Sequence, residues 1–240
     1  MKFLVFDTET TGLPIINFIG PGYLEKWPHI VQFSYVIYDN ISNTLEMNDN
    51  IIKIPDNIDI PEESIAIHGI TKKITKQYGV TLNEAFQKFF EYVEIADYII
   101  GHNIAFDINM VRVEILRKIY KSDHEMLFHN IEKTGEKTGE IQLWKEYLNE
   151  LQNKKNIVCT MKTNTDFCNI TALSKYGKPY IKFPTLNQLH NKLFSTEPTM
   201  LHDSSVDILV TLRCYIKKIY DIDLLNTCKA FKLRTRKIYK

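Results

Sequence analysis

The chain switches between two hydrophobic periods, and the switches mark its elements. Residues 3–6, Phe-Leu-Val-Phe, form a short unbroken apolar run of the kind found in a central strand. Thr11-Gly12-Leu13-Pro14 breaks that run, and Gly20-Pro21-Gly22 prolongs the loop. Residues 30–38, rich in β-branched and aromatic side chains, predict a second strand. Asp39-Asn40 reads as a turn and 46–54 as a third strand, so strands one to three form an antiparallel meander.

Helical spacing then takes over. Pro61-Glu62-Glu63-Ser64 opens a short helix that Gly69 ends. Thr81-Leu82-Asn83-Glu84 is a capping box, followed by Phe86, Phe89, Phe90 and Val93 on one face. Tyr98-Ile99-Ile100-Gly101 is a brief buried strand. Asn103 is placed to cap a helix whose Ile104, Ile108, Val111 and Ile115 share a side. Residues 121–156 are the least regular. They hold the tandem Lys133-Thr134-Gly135-Glu136 and Lys137-Thr138-Gly139-Glu140, then a helix around 144–151, and read as an insertion. A fifth strand is expected at 157–161, and helices at 186–194 and 206–220. Strands that alternate with helices after a meander predict an α/β domain with a mixed sheet over 1–225. Residues 226–240 read as a basic tail, with Lys229, Lys232, Arg234, Arg236, Lys237 and Lys240 and no acid. Such a tail suits phosphate contact or plain solvation.

Composition narrows the class. With 30 basic and 29 acidic side chains the formal net charge is +1, so global charge does not announce a nucleic-acid binder. Cys159, Cys168, Cys214 and Cys228 form no C-x-x-C pair and have no histidine at zinc-ligand spacing, which fits a reducing compartment. A strand that starts at Lys2 or Phe3 leaves no room for a signal peptide, and no apolar run spans a bilayer. The expectation is a soluble intracellular protein without membrane contact.

The chemistry sits in three separated segments. Asp7 and Glu9 lie two apart at the end of the first strand, so they project together while Thr8 points the other way. Two such carboxylates repel each other, and a hard divalent cation with oxygen ligands resolves the conflict. Asp107 follows in Gly101-His102-Asn103-Ile104-Ala105-Phe106-Asp107. His202-Asp203-Ser204-Ser205-Val206-Asp207 places a cap at Asp203 or Ser204, Asp207 in the first turns of a helix, and His202 on the loop before it. An imidazole, with an ordinary pKa of about 6.5, suits a general base beside metals. Taken singly, each piece is more often a solvated strand end, a helix-dipole acid or a cap than a site. Together, four carboxylates and one imidazole compose a hydrolytic site for two divalent cations, Mg²⁺ or Mn²⁺.

The three segments resemble the motifs of the DEDDh group of the DnaQ-like, ribonuclease H-like 3′–5′ exonucleases. Val5-Phe6-Asp7-Thr8-Glu9-Thr10-Thr11-Gly12-Leu13 resembles the first, residues 101–107 the second and 202–207 the third. Ile67-His68-Gly69-Ile70-Thr71 is similar to a segment that approaches the terminal nucleotide. The resemblance spans residues 2–220. It implies a five-stranded mixed sheet with an antiparallel meander, then parallel strands, and helices on both faces. It implies that Asp7, Glu9 and Asp207 hold one cation, that Asp7 bridges to a second supported by Asp107, and that His202 is the general base. Thr10, Thr11, Glu63, His68, Asn103 and Phe106 are implied as substrate contacts. The implied activity is release of nucleoside 5′-monophosphates from single-stranded 3′ ends, DNA before RNA. The alternatives are an exoribonuclease and, from another class, a non-catalytic module that binds 3′ ends or tethers a DNA polymerase. The chain departs from the family at the enlarged first loop (18–27), at 121–156, and at Ser204, where alanine is usual. Oligomeric state is not legible.

Overall fold

Strand β1 (Lys2–Thr10) is the axis of the molecule, because Phe3, Leu4, Val5 and Phe6 are all fully buried and need cover on both sides. The computed structural model describes residues 1–128 and 135–239, with side chains for 1–121 and 139–239. After β1 come a 3-10 segment (Pro21–Lys26), β2 (Ile30–Asp39) and β3 (Thr44–Ile51). Helices α1 (Glu62–His68), α2 (Lys72–Tyr78) and α3 (Leu82–Ile95) lead to β4 (Tyr98–Gly101). Next are α4 (Ala105–Phe128), α5 (Gly135–Asn153), β5 (Ile157–Cys159), α6 (Thr160–Thr163) and α7 (Thr165–Cys168). A hairpin of β6 (Ile170–Leu173) and β7 (Pro179–Lys182) precedes α8 (Leu186–Phe194), α9 (Ser204–Tyr220), α10 (Leu224–Thr227) and α11 (Lys229–Arg234).

The main sheet has the order β3-β2-β1-β4-β5. β1 runs antiparallel to β2 and parallel to β4, β2 antiparallel to β3, and β4 parallel to β5. This is the expected mixed ribonuclease H-like sheet. Residue parity splits the core in two. Leu4 and Phe6 face the layer of α3, α4 and α5, with Phe33, Tyr35, Phe86 and Phe89. Phe3 and Val5 face α9, with Leu209, Leu212 and Ile216. Phe89 sits 5.0 Å from Phe6 and 4.9 Å from Phe33, ring to ring, in edge contacts. Truncating Phe6 or Phe89 to alanine costs about 3–5 kcal/mol on this account.

Local signals explain several boundaries. The Thr81–Glu84 capping box forms as expected, with the Thr81 N–H donating to Glu84 at 2.8 Å. α1 ends at Gly69, whose φ of 74° a side chain would strain. A second capping box, Thr185 with Gln188, opens α8. The α4 boundary differs: Phe106 N–H bonds to the Asn103 carbonyl, so that turn is closed by Asn103's backbone rather than by its side chain. The third strand stops at Ile51, and Ile52 bridges to Val80 instead. β5 stops at Cys159, where Thr160 turns into a helix. The hairpin and α2, α6, α7, α10 and α11 are short elements without a full hydrophobic period.

The segment read as an insertion and the segment read as a basic tail both pack onto the core. In 121–156, α5 buries Trp144, Tyr147 and Leu151. Tyr147 stacks on Phe90 at 4.1 Å, and Trp144 meets Phe86 at 6.0 Å. Lys133 and Thr134 of the tandem repeat lie outside the described residues. The basic segment 226–240 is not a free tail. Cys228, Phe231 and Ile238 are buried against the α9 side of the sheet, and the Thr199 N–H bonds to the Ile238 carbonyl at 3.1 Å. Its apolar residues, diluted among lysines, show no period long enough to betray the packing, and Lys229, Lys232, Arg234, Arg236 and Lys237 remain at the surface.

Candidate active site

The alternation that sorts the core also sorts the acids. Asp7 and Glu9 continue the Phe3–Val5 face, toward α9, and the first turn of α9 delivers Asp207 there. One carboxylate oxygen from each of Asp7, Glu9 and Asp207 lies within 4.8 Å of the other two. Thr8 continues the opposite face, toward α4, and there it meets Asp107. β1 pairs with β4 only over Phe3–Val5, so the Thr8 N–H lies beyond the last of these β4 partners. Asp107 Oδ1 accepts that N–H at 3.0 Å and the Thr8 hydroxyl at 2.8 Å. Thr8 thus orients Asp107, a role that the parity of β1 hinted at without naming the partner.

Burial raises every one of these acids, and repulsion from neighbouring carboxylates adds to it at Asp7, Glu9 and Asp207. Burial pushes Asp7 well above the ordinary carboxylate range, and the charges of Asp107, Asp207 and Glu9 add to it. Burial, then Asp207 and Asp107, lifts Glu9 to about 8. Burial raises Asp207 to about 7, against the pull of the His202 N–H. Asp107 also reaches about 7 through burial, with the two Thr8 bonds opposing. Asp207 Oδ1 is buried and has no hydrogen-bond partner. Aligned oxygen donors with no counter-charge, one of them orphaned, are the environment that a hard divalent cation fits.

The third segment is locked onto the sheet by a buried polar network. Asp203 caps α9 by accepting the Ser205 N–H at 3.0 Å. Asp49 can only accept when ionised, so Ser34 donates to it at 2.8 Å and Ser204 donates to Ser34 at 2.6 Å. Gln32 Nε2 donates to both Asp49 and Asp203, at 2.9 and 3.0 Å. Ser204 is fully buried, so the departure from the family's alanine carries a hydrogen bond that registers α9 against β2. His202 precedes the cap in a left-handed conformation, φ 72°, and its backbone N–H reaches Asp207 Oδ2 at 3.3 Å. Its residue is exposed, at the rim of the acid cluster.

Beside the acids is a cavity of about 610 Å³. Glu9, Thr10, Thr11, Glu63, His68 and Phe106 line it, so five of the six expected substrate contacts come together there. Asn103 is not among its lining residues; with φ 68° it shapes the turn into α4 instead. Gly12, Leu13, Ser64 and Ile67 complete much of the wall. Thr10 donates to the Gly12 carbonyl at 2.6 Å, and Thr11 accepts the His29 N–H at 2.9 Å, which sets the loop. His68 Nδ1 accepts the Ile70 N–H at 3.0 Å, leaving Nε2–H for the Thr10 carbonyl at 3.3 Å. Burial lowers the His68 pKa, which favours the neutral ring.

His102 is a second residue whose role the pattern did not reveal. Its Nε2–H donates to the Pro184 carbonyl at 3.0 Å, and Nδ1 lies 3.0 Å from the Thr160 hydroxyl. Burial lowers it to about 4, so the ring is a neutral strut between the Asp107 loop and the segment that follows β7. No helix among the described residues is long and apolar enough to cross a membrane.

Acids gathered at the end of β1 in a sheet of this order define a DnaQ-like 3′–5′ exonuclease domain. A family model described as the RNase_T exonuclease matches residues 4–156, and the chain belongs to that family. Among curated relatives, a PolC-type DNA polymerase III from Pediococcus pentosaceus is 29% identical over 116 residues, 48% of this chain and 7% of that protein. Among solved structures, E. coli exonuclease I in complex with a dT13 oligonucleotide aligns with a TM-score of 0.56 at 17% identity, over 92% of this chain and 42% of that one. A moderately thermophilic exonuclease I from Methylocaldum szegediense aligns with a TM-score of 0.56 at 16% identity, over 97% and 42%. The chain therefore spans about two fifths of those exonucleases and a small part of the polymerase.

Proposed function

We propose that this protein is a divalent-metal-dependent 3′–5′ exonuclease that removes nucleoside 5′-monophosphates from single-stranded 3′ ends, DNA in preference to RNA. The observation that carries the reading is the approach of Asp7, Glu9 and Asp207 within 4.8 Å, beside a cavity large enough for a terminal nucleotide. The dT13 and dA16 oligonucleotides in complexes of E. coli exonuclease I support the substrate class. The polymerase relative makes a DNA polymerase a candidate partner.

In this reading Asp7, Glu9 and Asp207 hold one Mg²⁺ or Mn²⁺, and Asp107, fixed by Thr8, supports a second. The pair of cations, when bound, supplies Lewis acidity to the scissile phosphodiester. The protein's own groups do the rest. His202, on its exposed loop, takes the proton of the attacking water on an imidazole nitrogen. His202 is tied to the acid cluster through its backbone N–H, which reaches Asp207. Thr10, Thr11, Glu63, His68 and Phe106 surround the terminal nucleoside, with Asn103 setting the turn that carries Phe106 and Asp107.

The test is a time course on 5′-labelled single-stranded DNA, duplex DNA and RNA with Mg²⁺, Mn²⁺ or chelator. One-nucleotide shortening of single-stranded DNA, stopped by chelator, is expected. Internal cuts, or cleavage that persists in chelator, would overturn the reading.

A further inference from the structure

We propose that the β6–β7 hairpin is the docking surface for the single strand that runs 5′ of the scissile end. The inference rests on the exonuclease reading for what lies at the hairpin's root. The hairpin is a two-stranded sheet apart from the main one, pairing Ala172 with Tyr180 and Ile170 with Lys182. A ribbon of two strands is marginal alone, and polar side chains at its tip would serve solubility best. This one instead exposes Tyr176 at 77%, Tyr180 at 50% and Phe183 at 53%.

Along the chain, the charge beside those rings has one sign. No acid occurs between residues 167 and 196, although the chain has 29 acids among 240 residues. Lys175, Lys178 and Lys182 alternate with the rings, and Lys175 Nζ lies 4.9 Å from the Tyr176 ring centre. Aromatic faces interleaved with lysines match what an unpaired strand offers: flat bases and a charged backbone. A protein partner of ordinary composition has no need of an acid-free stretch this long.

The hairpin is also held rigid and joined to the site. Ser174 and Lys178 close its turn, with the Ser174 N–H bonding to the Lys178 carbonyl at 2.8 Å, and Gly177 takes φ 74° between them. Its outgoing end passes through Phe183 to buried Pro184, the carbonyl that His102 grips. His102 in turn lies in the short connection to α4, whose first turn carries Asp107. The aromatic, cationic finger is therefore tied through Pro184 and His102 to the turn that carries Asp107.

The test pairs the double variant Tyr176→Ala/Tyr180→Ala with Lys175→Gln/Lys178→Gln/Lys182→Gln. Each is assayed on an oligonucleotide of about twenty residues and on a dinucleotide that ends short of the hairpin. Loss of stacking is expected to raise KM on the long strand by roughly tenfold per ring, with kcat within twofold. The lysine variant should lower the slope of log affinity against log salt by about 0.7 per charge removed. Dinucleotide hydrolysis should match the wild type. A long-strand KM within twofold of wild type in the ring variant overturns the inference and points to a protein contact instead. Anisotropy of a labelled strand, measured in chelator, separates the two readings. If the wild type binds and the ring variant does not, the hairpin stands even where no hydrolysis is seen. If neither binds, both readings fall.

Discussion

Asp207→Asn should stabilise the metal-free protein while abolishing its activity. Asp207 reaches an ordinary 3.8 in the unfolded chain and about 7 in the fold, through burial and the charges of Asp203 and Asp107. At roughly 1.4 kcal/mol per pH unit, full ionisation in the fold costs about 4 kcal/mol. Partial exposure and counterions reduce this, so about 2 kcal/mol is the working figure. The sign follows from the order of the two values. Below pH 4 the group is neutral in both states and no penalty exists. As pH rises from about 4 to 7, the unfolded chain releases its proton first and stability is lost. Asparagine cannot ionise, and its amide oxygen can still accept the His202 N–H that Asp207 Oδ2 accepts at 3.3 Å. Its amide N–H can donate where Asp207 Oδ1 has no partner. In a chain of this size 2 kcal/mol raises Tm by roughly 4–8 °C. Calorimetry at pH 8 in chelator should show that gain, and below pH 4 the difference attributable to this group should vanish. Mg²⁺ should raise Tm of the wild type more than that of the variant, because a cation that binds only the fold stabilises it. A variant less stable than wild type in chelator at pH 8, or an unchanged Mg²⁺ response, refutes the account of these acids as a repelled, cation-seeking cluster.

Other outcomes are expected. Asp7→Ala should remove turnover entirely while leaving a folded protein; retained Mn²⁺-dependent cleavage would contradict its ligand role. His202→Ala should slow single-turnover cleavage by about 10²–10⁴-fold with little loss of strand binding, as for a missing general base. Arg117→Ala should cost about 3–5 kcal/mol, since the guanidinium joins Glu114 at 2.9 Å to the carbonyls of Leu24, Trp27 and Pro28, and its loss strands a buried carboxylate. Denaturant melts would detect this, and a change below 1 kcal/mol would show the cluster to be slack. Burial pushes Glu114 up, but the His29 bond and the Arg117 charge outweigh it and hold it below its ordinary value of 4.5. Its contribution is therefore present above about pH 4.5 and lost as pH falls through the lower folded value, which acid titration of wild type against Glu114→Gln should reveal.

Much of this protein is written locally. The alternation of side chains along a strand assigns Asp7 and Glu9 to one face of β1 and Thr8 to the other, since side-chain direction in a strand needs no knowledge of neighbours. Capping chemistry at Thr81 and Asp203, and the stop at Gly69, are likewise properties of a few adjacent residues. The residue types of the three acidic segments made the chemistry legible before any fold. What these patterns cannot contain is which distant element covers each face. Asp207 lies beyond the 4–156 segment that the family model matches, and it meets Asp7 only because α9 packs on the Phe3–Val5 side and Ser204 bonds to Ser34. Thr8 finds Asp107 only because β4 ends short of it. His102 and Pro184, or Phe231 in its lysine-rich surroundings, become partners through packing that summed burial decides across the whole chain. Periodicity and caps act within a few residues, whereas such meetings depend on the free energy of closing two layers over one sheet.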